Sequence, residues 1–210
     1  MTLLKDTHQS RSTRWLRVVA GSAILVAVGL GGSPVAAQAD PDAGSSDRAA
    51  RLAAVQSSIT DKPASSLAPG VQIRNRNTAN MCLGIAGSAH HHGAPAIQWD
   101  CLPNERDQRW EFVHLGFGLH QIRNQNTANM CLGIAGGAHH HGAAAIQWEC
   151  DVRTTDQYWE IIRTSTGTQI VSANTDNMCL GIRGSAHNHG APAIQWDCLD
   201  NEPDQRWTIG

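Results

Sequence analysis

The sequence lacks the features that proteins use to bind polyanions or to enter membranes. Its 16 basic and 18 acidic residues give a formal net charge of −2, and no long run carries one sign of charge. Nucleic acids and anionic membrane surfaces are bound by basic patches, so we expect neither as a partner. The apolar stretch of residues 18–30 has 13 residues, whereas a helix needs about 20 to span a bilayer. We therefore expect no membrane insertion.

That apolar stretch belongs to a pattern typical of a secretory signal. Four basic residues precede it, and the small residues Ala37-Gln38-Ala39 offer a cleavage site before Asp40. We predict a signal peptide over residues 1–39 and a secreted protein. Residues 40–69 are rich in Ala, Ser, Asp and Pro. We interpret them as a linker with one short, fraying helix capped by Asp47, rather than as a helix docked on the main domain.

Tyrosine and phenylalanine are scarce, with one Tyr and two Phe against seven Trp. Most of the tryptophans belong to an internal repeat that begins near Val71. The stretch at 81–101 returns at 130–150 with three differences and at 178–198 with two. In the third copy the differences are Arg for Ala86 and Asn for His91. The repeats cover about residues 70–118, 119–167 and 168–210.

Residues 71–210 lack sustained helical periodicity, and each repeat has the pattern of four short strands separated by turns. In the first repeat these strands are predicted at about 70–75, 81–86, 96–101 and 108–115. A unit of about 48 residues is too small to bury its own apolar face. Three units are therefore expected to close around one core, which predicts an all-β fold of twelve strands.

The sequence has no Cys-x-x-Cys pair, which weakens a zinc interpretation of its six cysteines. Each repeat contains two cysteines 19 residues apart, and six cysteines allow 15 pairings. The threefold repetition favours one disulfide within each repeat, and a secreted protein permits it. The predicted pairs are Cys82–Cys101, Cys131–Cys150 and Cys179–Cys198.

Each repeat ends in a Gln-x-Trp signature, at residues 108–110, 157–159 and 205–207, and each carries Cys-Leu-Gly-Ile and Ile-Gln-Trp-(Asp/Glu)-Cys. With one cysteine pair per repeat, residues 70–210 resemble the ricin B-chain type β-trefoil lectin domain. The resemblance implies a six-stranded barrel capped by three hairpins that point away from one another, and one potential sugar pocket per repeat. It also implies a core built from Trp110, Trp159 and Trp207 with Ile73, Ile122, Ile170, Leu83, Leu132 and Leu180.

A sugar pocket needs an aromatic face for the apolar side of the pyranose and a charged acceptor for its hydroxyls. In the family the acceptor is an Asp two residues after the first cysteine, but this sequence has Gly84, Gly133 and Gly181 there. Where the family often has Asn before Gln-x-Trp, this sequence has Asp107, Asp156 and Asp204. These carboxylates either replace the missing acceptors or tie the loop before the last strand.

The family resemblance assigns Trp99, Trp148 and Trp196 to the sugar-stacking position. Strict alternation along the strand places Ile97 and Trp99 on one face and Gln98 on the other. If the Ile face were the core, these tryptophans would be buried unless a bulge freed them. We expect them to be at least partly exposed, because Trp110 already supplies the core.

The histidine-rich loops at 90–92, 139–141 and 187–189 allow three interpretations. They are solvated hairpin loops, rims of the sugar pockets, or weak local metal sites with two ligands each. Since the hairpins are expected to diverge, no shared three-histidine site is predicted. Asn188 in the third loop indicates that the outer histidines matter more than the middle one.

The leading interpretation is a secreted, non-catalytic carbohydrate-binding protein with up to three equivalent weak sites, because no nucleophile–base pair stands out. Its partners would be glycans or polysaccharides, with no cofactor and no metal, and we expect a monomer. A protein-interaction or inhibitor module and a weak histidine-based metal binder remain as alternatives. The predicted carbohydrate-binding residues are Trp99, Asp107, Gln108 and His92; Trp148, Asp156, Gln157 and His141; and Trp196, Asp204, Gln205 and His189.

Overall fold

The computed structural model describes residues 43–58, 70–78, 80–127 and 129–210. The predicted signal peptide, residues 1–39, and residues 59–69 lie outside these ranges. One α-helix, α1 (Ala43–Ser58), precedes twelve strands. The strands are β1 (Ile73–Asn75), β2 (Met81–Ile85), β3 (Ala96–Asp100), β4 (Trp110–Gly116), β5 (Leu119–Asn124), β6 (Met130–Ile134), β7 (Ala145–Glu149), β8 (Trp159–Thr164), β9 (Gly167–Ser172), β10 (Met178–Ile182), β11 (Ala193–Asp197) and β12 (Trp207–Ile209).

Six strands form a closed ring. Antiparallel pairing runs from β1 through β12, β9, β8 and β5 to β4. Val71 and Trp110 close the ring by exchanging two backbone hydrogen bonds of 2.9 Å each. The other six strands form the hairpins β2–β3, β6–β7 and β10–β11. This confirms the predicted β-trefoil of three four-stranded repeats.

The core repeats the same indole contact three times. Trp110, Trp159 and Trp207 are fully buried. Their Nε1–H groups donate to the carbonyl oxygens of Leu83, Leu132 and Leu180 at 2.9, 2.9 and 3.0 Å. A buried indole N–H needs an acceptor, and each repeat supplies it from its own hairpin. The isoleucines and leucines expected in the core pack there too.

Each hairpin is also joined covalently to itself. Disulfides link Cys82–Cys101, Cys131–Cys150 and Cys179–Cys198, with a Cα–Cα distance of 4.9 Å in each. The predicted pairing within each repeat is confirmed. Each disulfide closes a loop that contains the histidines. The second cysteine of each pair lies two residues after the exposed tryptophan. The disulfide therefore fixes the segment on which the site is built.

The hairpins do not point away from one another, which corrects our expectation. The loop of each hairpin donates a backbone hydrogen bond to a strand of another repeat. These bonds run from Gly93 to Gln147, from Gly142 to Gln195 and from Gly190 to Gln98, at 2.9 Å each. Small residues at the contact, alanines and glycines, let the three backbones approach closely. The hairpins consequently interlock in a triangle.

The helix α1 packs against the trefoil, whereas we favoured an undocked linker helix. Val55 is fully buried in a cluster with Leu119, Tyr158 and Ala173. Arg48 donates to the carbonyl of Thr175 and lies 3.4 Å from the Glu160 carboxylate. The expected cap, Asp47, instead lies within the helix and pairs with Arg51 at 3.0 Å. None of the helices within the described ranges is both long and apolar enough to cross a membrane.

A difference between the repeats explains where α1 docks. Arg109 and Arg206 in the first and third repeats donate to loop carbonyls at 2.8 Å. Tyr158 takes their place in the second repeat, and its hydroxyl donates to the carbonyl of Val152. The tyrosine makes the same loop contact but adds an apolar ring, which is buried against the helix. Burial raises the pKa of Tyr158 to about 12, so its hydroxyl stays protonated.

Candidate functional site

Equivalent residues of the three repeats define three surface sites on the same plan, and those of the second and third repeats line cavities. Groove 1 lies at Gly84, Trp99 and Asp107, groove 2 at Gly133, Trp148 and Asp156, and groove 3 at Gly181, Trp196 and Asp204. Grooves 2 and 3 have volumes of about 470 and 480 Å³. In each, one wall is the exposed tryptophan and the other is the short 3-10 turn after the first hairpin strand.

The tryptophans reach the surface without a bulge. In β3 the register with β2 is continuous, Ala96 and Gln98 face inward, and Trp99 faces outward. The Ile97 face is therefore the outer one. Trp99, Trp148 and Trp196 are 42%, 47% and 43% exposed. A planar apolar surface of this size is available to the C–H face of a ring-shaped ligand.

A histidine from another repeat lies against each of these tryptophans. The ring centroids of His92 and Trp148 are 4.9 Å apart. The pairs His189–Trp99 and His141–Trp196 are each 4.8 Å apart. The predicted histidines therefore do lie at the tryptophans, but each serves a different repeat from its own. Each tryptophan therefore contacts the loop of another repeat, and in groove 3 that loop, through His141 and Gly142, lines the cavity itself.

An inward-facing glutamine holds each histidine loop in place. The Gln98 side chain is fully buried, and its Nε2 donates to the carbonyls of Ala186 and Asn188 at 2.7 and 3.1 Å. Gln147 and Gln195 make the equivalent bonds to the loops of the first and second repeats. The Ile-Gln-Trp motif thus combines a loop anchor with an outward tryptophan.

Two of the three stacked histidines also contact a carboxylate. His189 Nε2 lies 3.0 Å from Asp100 Oδ1, and His141 Nε2 lies 2.9 Å from Asp197 Oδ1. In groove 2 the corresponding residue is Glu149, which accepts from the Asn129 side chain at 3.5 Å. A charge-assisted or neutral hydrogen bond of this kind orients the imidazole. Grooves 1 and 3 therefore have more fully positioned histidines than groove 2.

The middle histidine of each loop has only a local contact. Nδ1 of His91 and of His140 lies 3.0 Å from the next residue's carbonyl oxygen. Nδ2 of Asn188 donates to the His189 carbonyl at the same 3.0 Å. An asparagine amide reproduces the bond, which explains why the two residue types exchange here. Within the described ranges, no three His, Cys, Asp or Glu side chains are placed to hold a metal ion.

The carboxylates of Asp107 and Asp204 line their grooves but already have partners. Asp107 Oδ2 accepts from the Ile85 N–H at 3.2 Å, and Oδ1 accepts from the Ser88 hydroxyl at 2.9 Å. Asp204 accepts from Ile182 and Ser185 at 3.1 and 2.8 Å. These contacts support the loop-tying interpretation. Each oxygen retains a second lone-pair site, and the two residues are only 7% and 6% exposed.

The second repeat departs from this pattern. Gly137 stands where the other repeats have a serine, so Asp156 lacks that serine hydroxyl and has a side-chain hydrogen bond with Thr154 instead. Burial, as the largest cause, raises the pKa of Asp156 above its ordinary value. Groove 2 is also lined by a bidentate pair in which Asp151 accepts from Arg153 Nε and Nη2 at 2.9 and 3.0 Å. Groove 3 has Leu199 at the position of Asp151.

The Gln-x-Trp glutamines are structural ties. Gln108 Oε1 accepts from the Leu102 N–H at 2.8 Å, and its Nε2 donates to the Asp100 carbonyl at 2.7 Å. Gln157 and Gln205 repeat both bonds. All three are at most 2% exposed. They lie at the base of the grooves, and their amide groups form hydrogen bonds with the backbone.

Sequence reasoning missed several groove residues. Asp100 and Asp197 were not assigned, since their histidine partners lie far away in the sequence and become visible only once the hairpins interlock. Ser88 and Ser185 were missed although Gly137 breaks their pattern in the second repeat. Arg183 was visible as a difference between copies but received no role. It lines groove 3.

A family model described as the ricin-type beta-trefoil lectin domain matches residues 69–207. The chain therefore belongs to this lectin family, whose members bind carbohydrate. The fold and its three disulfides are compatible with an extracellular protein. A comparison with the sequences of curated proteins found no match.

Several solved structures share the fold. The designed 3-fold symmetric protein ThreeFoil is 20% identical with a TM-score of 0.61, over 66% of this chain and 96% of that one. The earthworm R-type lectin C-half, solved with GalNAc, is 19% identical with a TM-score of 0.54, over 68% and 98%. An exo-beta-1,3-galactanase from Clostridium thermocellum is 19% identical with a TM-score of 0.62. The match covers 69% of this chain but only 30% of that enzyme.

Proposed function

We propose that the protein is a secreted, non-catalytic carbohydrate-binding protein with three grooves for a glycan or polysaccharide. The observation that carries the proposal is the repeated exposure of Trp99, Trp148 and Trp196, with an aspartate lining the same groove in the second and third repeats. The indole offers an apolar platform to the C–H face of a pyranose, and the aspartate accepts hydrogen bonds from its hydroxyls.

The grooves are preorganised, which supports ligand binding over a purely structural role for the loops. The disulfide, the buried glutamine and the stacked histidine each fix one side of the groove before a ligand arrives. Preorganisation lowers the entropy cost of binding. Each open groove remains a weak site, and useful strength on a polymer would come from engaging several grooves at once.

A glycan array with the wild-type chain and the triple variant Trp99→Ala/Trp148→Ala/Trp196→Ala tests the proposal. We expect the wild type to bind at least one class of glycan and the triple variant to lose that binding. Phe117→Ala is the matched control, because Phe117 is an aromatic residue 56% exposed in the β4–β5 turn, outside the grooves. An array without wild-type binding, or equal binding by the triple variant, would support a protein-interaction module instead.

A further inference from the structure

The hairpin that forms groove 3 differs in charge at one position from the hairpin that forms groove 1. The stretches that form the two hairpins differ only by Arg183 for Ala86 and Asn188 for His91. The second difference lies outside groove 3, because the loop that carries Asn188 reaches Trp99 of groove 1. The second repeat also has an alanine, Ala135, at this position. At this position groove 3 therefore has a cation, Arg183, whereas grooves 1 and 2 have alanine.

The guanidinium lies at the junction of the two walls of groove 3. Arg183 opens the 3-10 turn Arg183–Ser185 and lines the same cavity as Trp196 and Asp204. Its Nη2 donates to the Gly142 carbonyl at 3.1 Å, across the boundary to the neighbouring repeat. Gly142 follows His141, the histidine stacked on Trp196. The contact holds the guanidinium beside the aromatic platform.

The acidic groups of groove 3 are already engaged, whereas most of the guanidinium is not. Asp204 accepts from Ile182 and Ser185, and Asp197 contacts His141. A third acid, Glu202, lies 3.5 Å from the Ser185 hydroxyl. Of the five N–H donors of an arginine, the described contacts use one, and no ion pair among the described residues includes Arg183. Groove 1 has the corresponding acids without the cation.

We propose that groove 3 prefers a pyranose that carries a carboxylate, that is, a uronate-type sugar. This inference rests on the proposed function. The guanidinium fork donates two parallel hydrogen bonds to the carboxylate, while Trp196 packs on the sugar ring. Grooves 1 and 2, with alanine at this position, take neutral sugars. The three sites are therefore unequal, and one chain binds neutral and acidic residues of a mixed polysaccharide together.

Single-groove variants test this preference. Trp99→Ala/Trp148→Ala keeps groove 3, and Trp148→Ala/Trp196→Ala keeps groove 1. The probes are methyl galactoside with methyl galacturonoside, methyl glucoside with methyl glucuronoside, and galactose 6-sulfate, titrated calorimetrically. For one of the two pairs, we expect groove 3 to bind the uronate about tenfold more tightly than the neutral sugar. Salt should weaken only the uronate binding.

Substitutions at the differing position provide the matched controls. Arg183→Ala should bring the ratio of uronate to neutral-sugar affinity in groove 3 to about one, and Ala86→Arg should raise that ratio in groove 1. Equal affinity for both members of each pair, or tighter binding of the sulfate than of the uronate, would overturn the inference while leaving the proposed function intact. Absence of binding to all probes in both single-groove variants would count against the proposed function itself, and this inference would fall with it.

Discussion

The Oδ2 atom of Asp107 lies 2.8 Å from the position that a Cβ atom on Gly84 would occupy. The same distance separates Asp204 Oδ2 from a Cβ on Gly181. A side chain at position 84 and the carboxylate of Asp107 therefore compete for one space. A real Cβ does not come so close to a carboxylate oxygen, so a residue other than glycine at position 84 requires Asp107 to move.

The first prediction concerns this exchange. Gly84→Asp restores the family residue but forces two carboxylates together, so we expect the free energy of unfolding to fall by about 1–3 kcal/mol. Adding Asp107→Asn removes the charge repulsion and should recover a good part of the loss. Urea denaturation of both single variants and the double variant measures the coupling. Additive effects would refute repulsion between the two carboxylates.

The second prediction concerns Asp156, whose pKa is raised mainly by burial. The native state then binds this proton more tightly than the unfolded state, so stability falls as pH rises from the unfolded to the folded pKa. Asp156→Asn has no carboxylate to ionise, so the variant does not lose this stability as the pH rises. We expect the variant to unfold at a higher temperature than the wild type at pH 7, with the advantage disappearing below the ordinary pKa of an aspartate.

The matched control for that titration is Asp204→Asn. Asp204 is tied by Ile182 and Ser185, and its substitution should bring no gain at pH 7. Thermal unfolding of both variants from pH 3 to 7 provides the test. A pH-independent effect of Asp156→Asn would show that burial of its charge is not the cause.

The third prediction concerns the docked helix. Val55→Ala should lower the free energy of unfolding by about 1–2 kcal/mol, because it removes fully buried methyl groups. Alanine favours helix more than valine does, so a loss reports packing and not helix propensity. Tyr158→Arg introduces the residue of the other two repeats and should release α1, measured as faster amide hydrogen exchange at 43–58. Unchanged exchange would contradict the docking argument.

The fourth prediction separates adjacent histidines of one loop. His140→Asn copies the third repeat and should change stability by less than about 0.5 kcal/mol. His141→Ala removes the contacts to Trp196 and Asp197 and should cost about 0.5–1 kcal/mol. It should also weaken glycan binding in groove 3. Chemical denaturation and titration of both variants provide the check, and equal effects would refute the assigned roles.

The sequence was sufficient to predict what lies within one repeat. The strand positions and the disulfides follow from short-range spacing and from threefold repetition, and the buried Trp110 follows from the family resemblance. The contacts between repeats were not predictable in this way. That His92 lies on Trp148 depends on how the hairpins interlock, and the resemblance suggested that they diverge. Docking of α1 depends on Tyr158, and only the structure shows that this residue packs in one cluster with Val55.

The most direct test is an NMR titration with a glycan that bound in the array. It follows the indole N–H signals of the tryptophans. Trp99, Trp148 and Trp196 are exposed, and Trp110, Trp159 and Trp207 serve as buried internal controls. We predict saturable shifts of the exposed set with little change in the buried set. Glycan binding that leaves all three exposed indoles unmoved would contradict binding at these grooves.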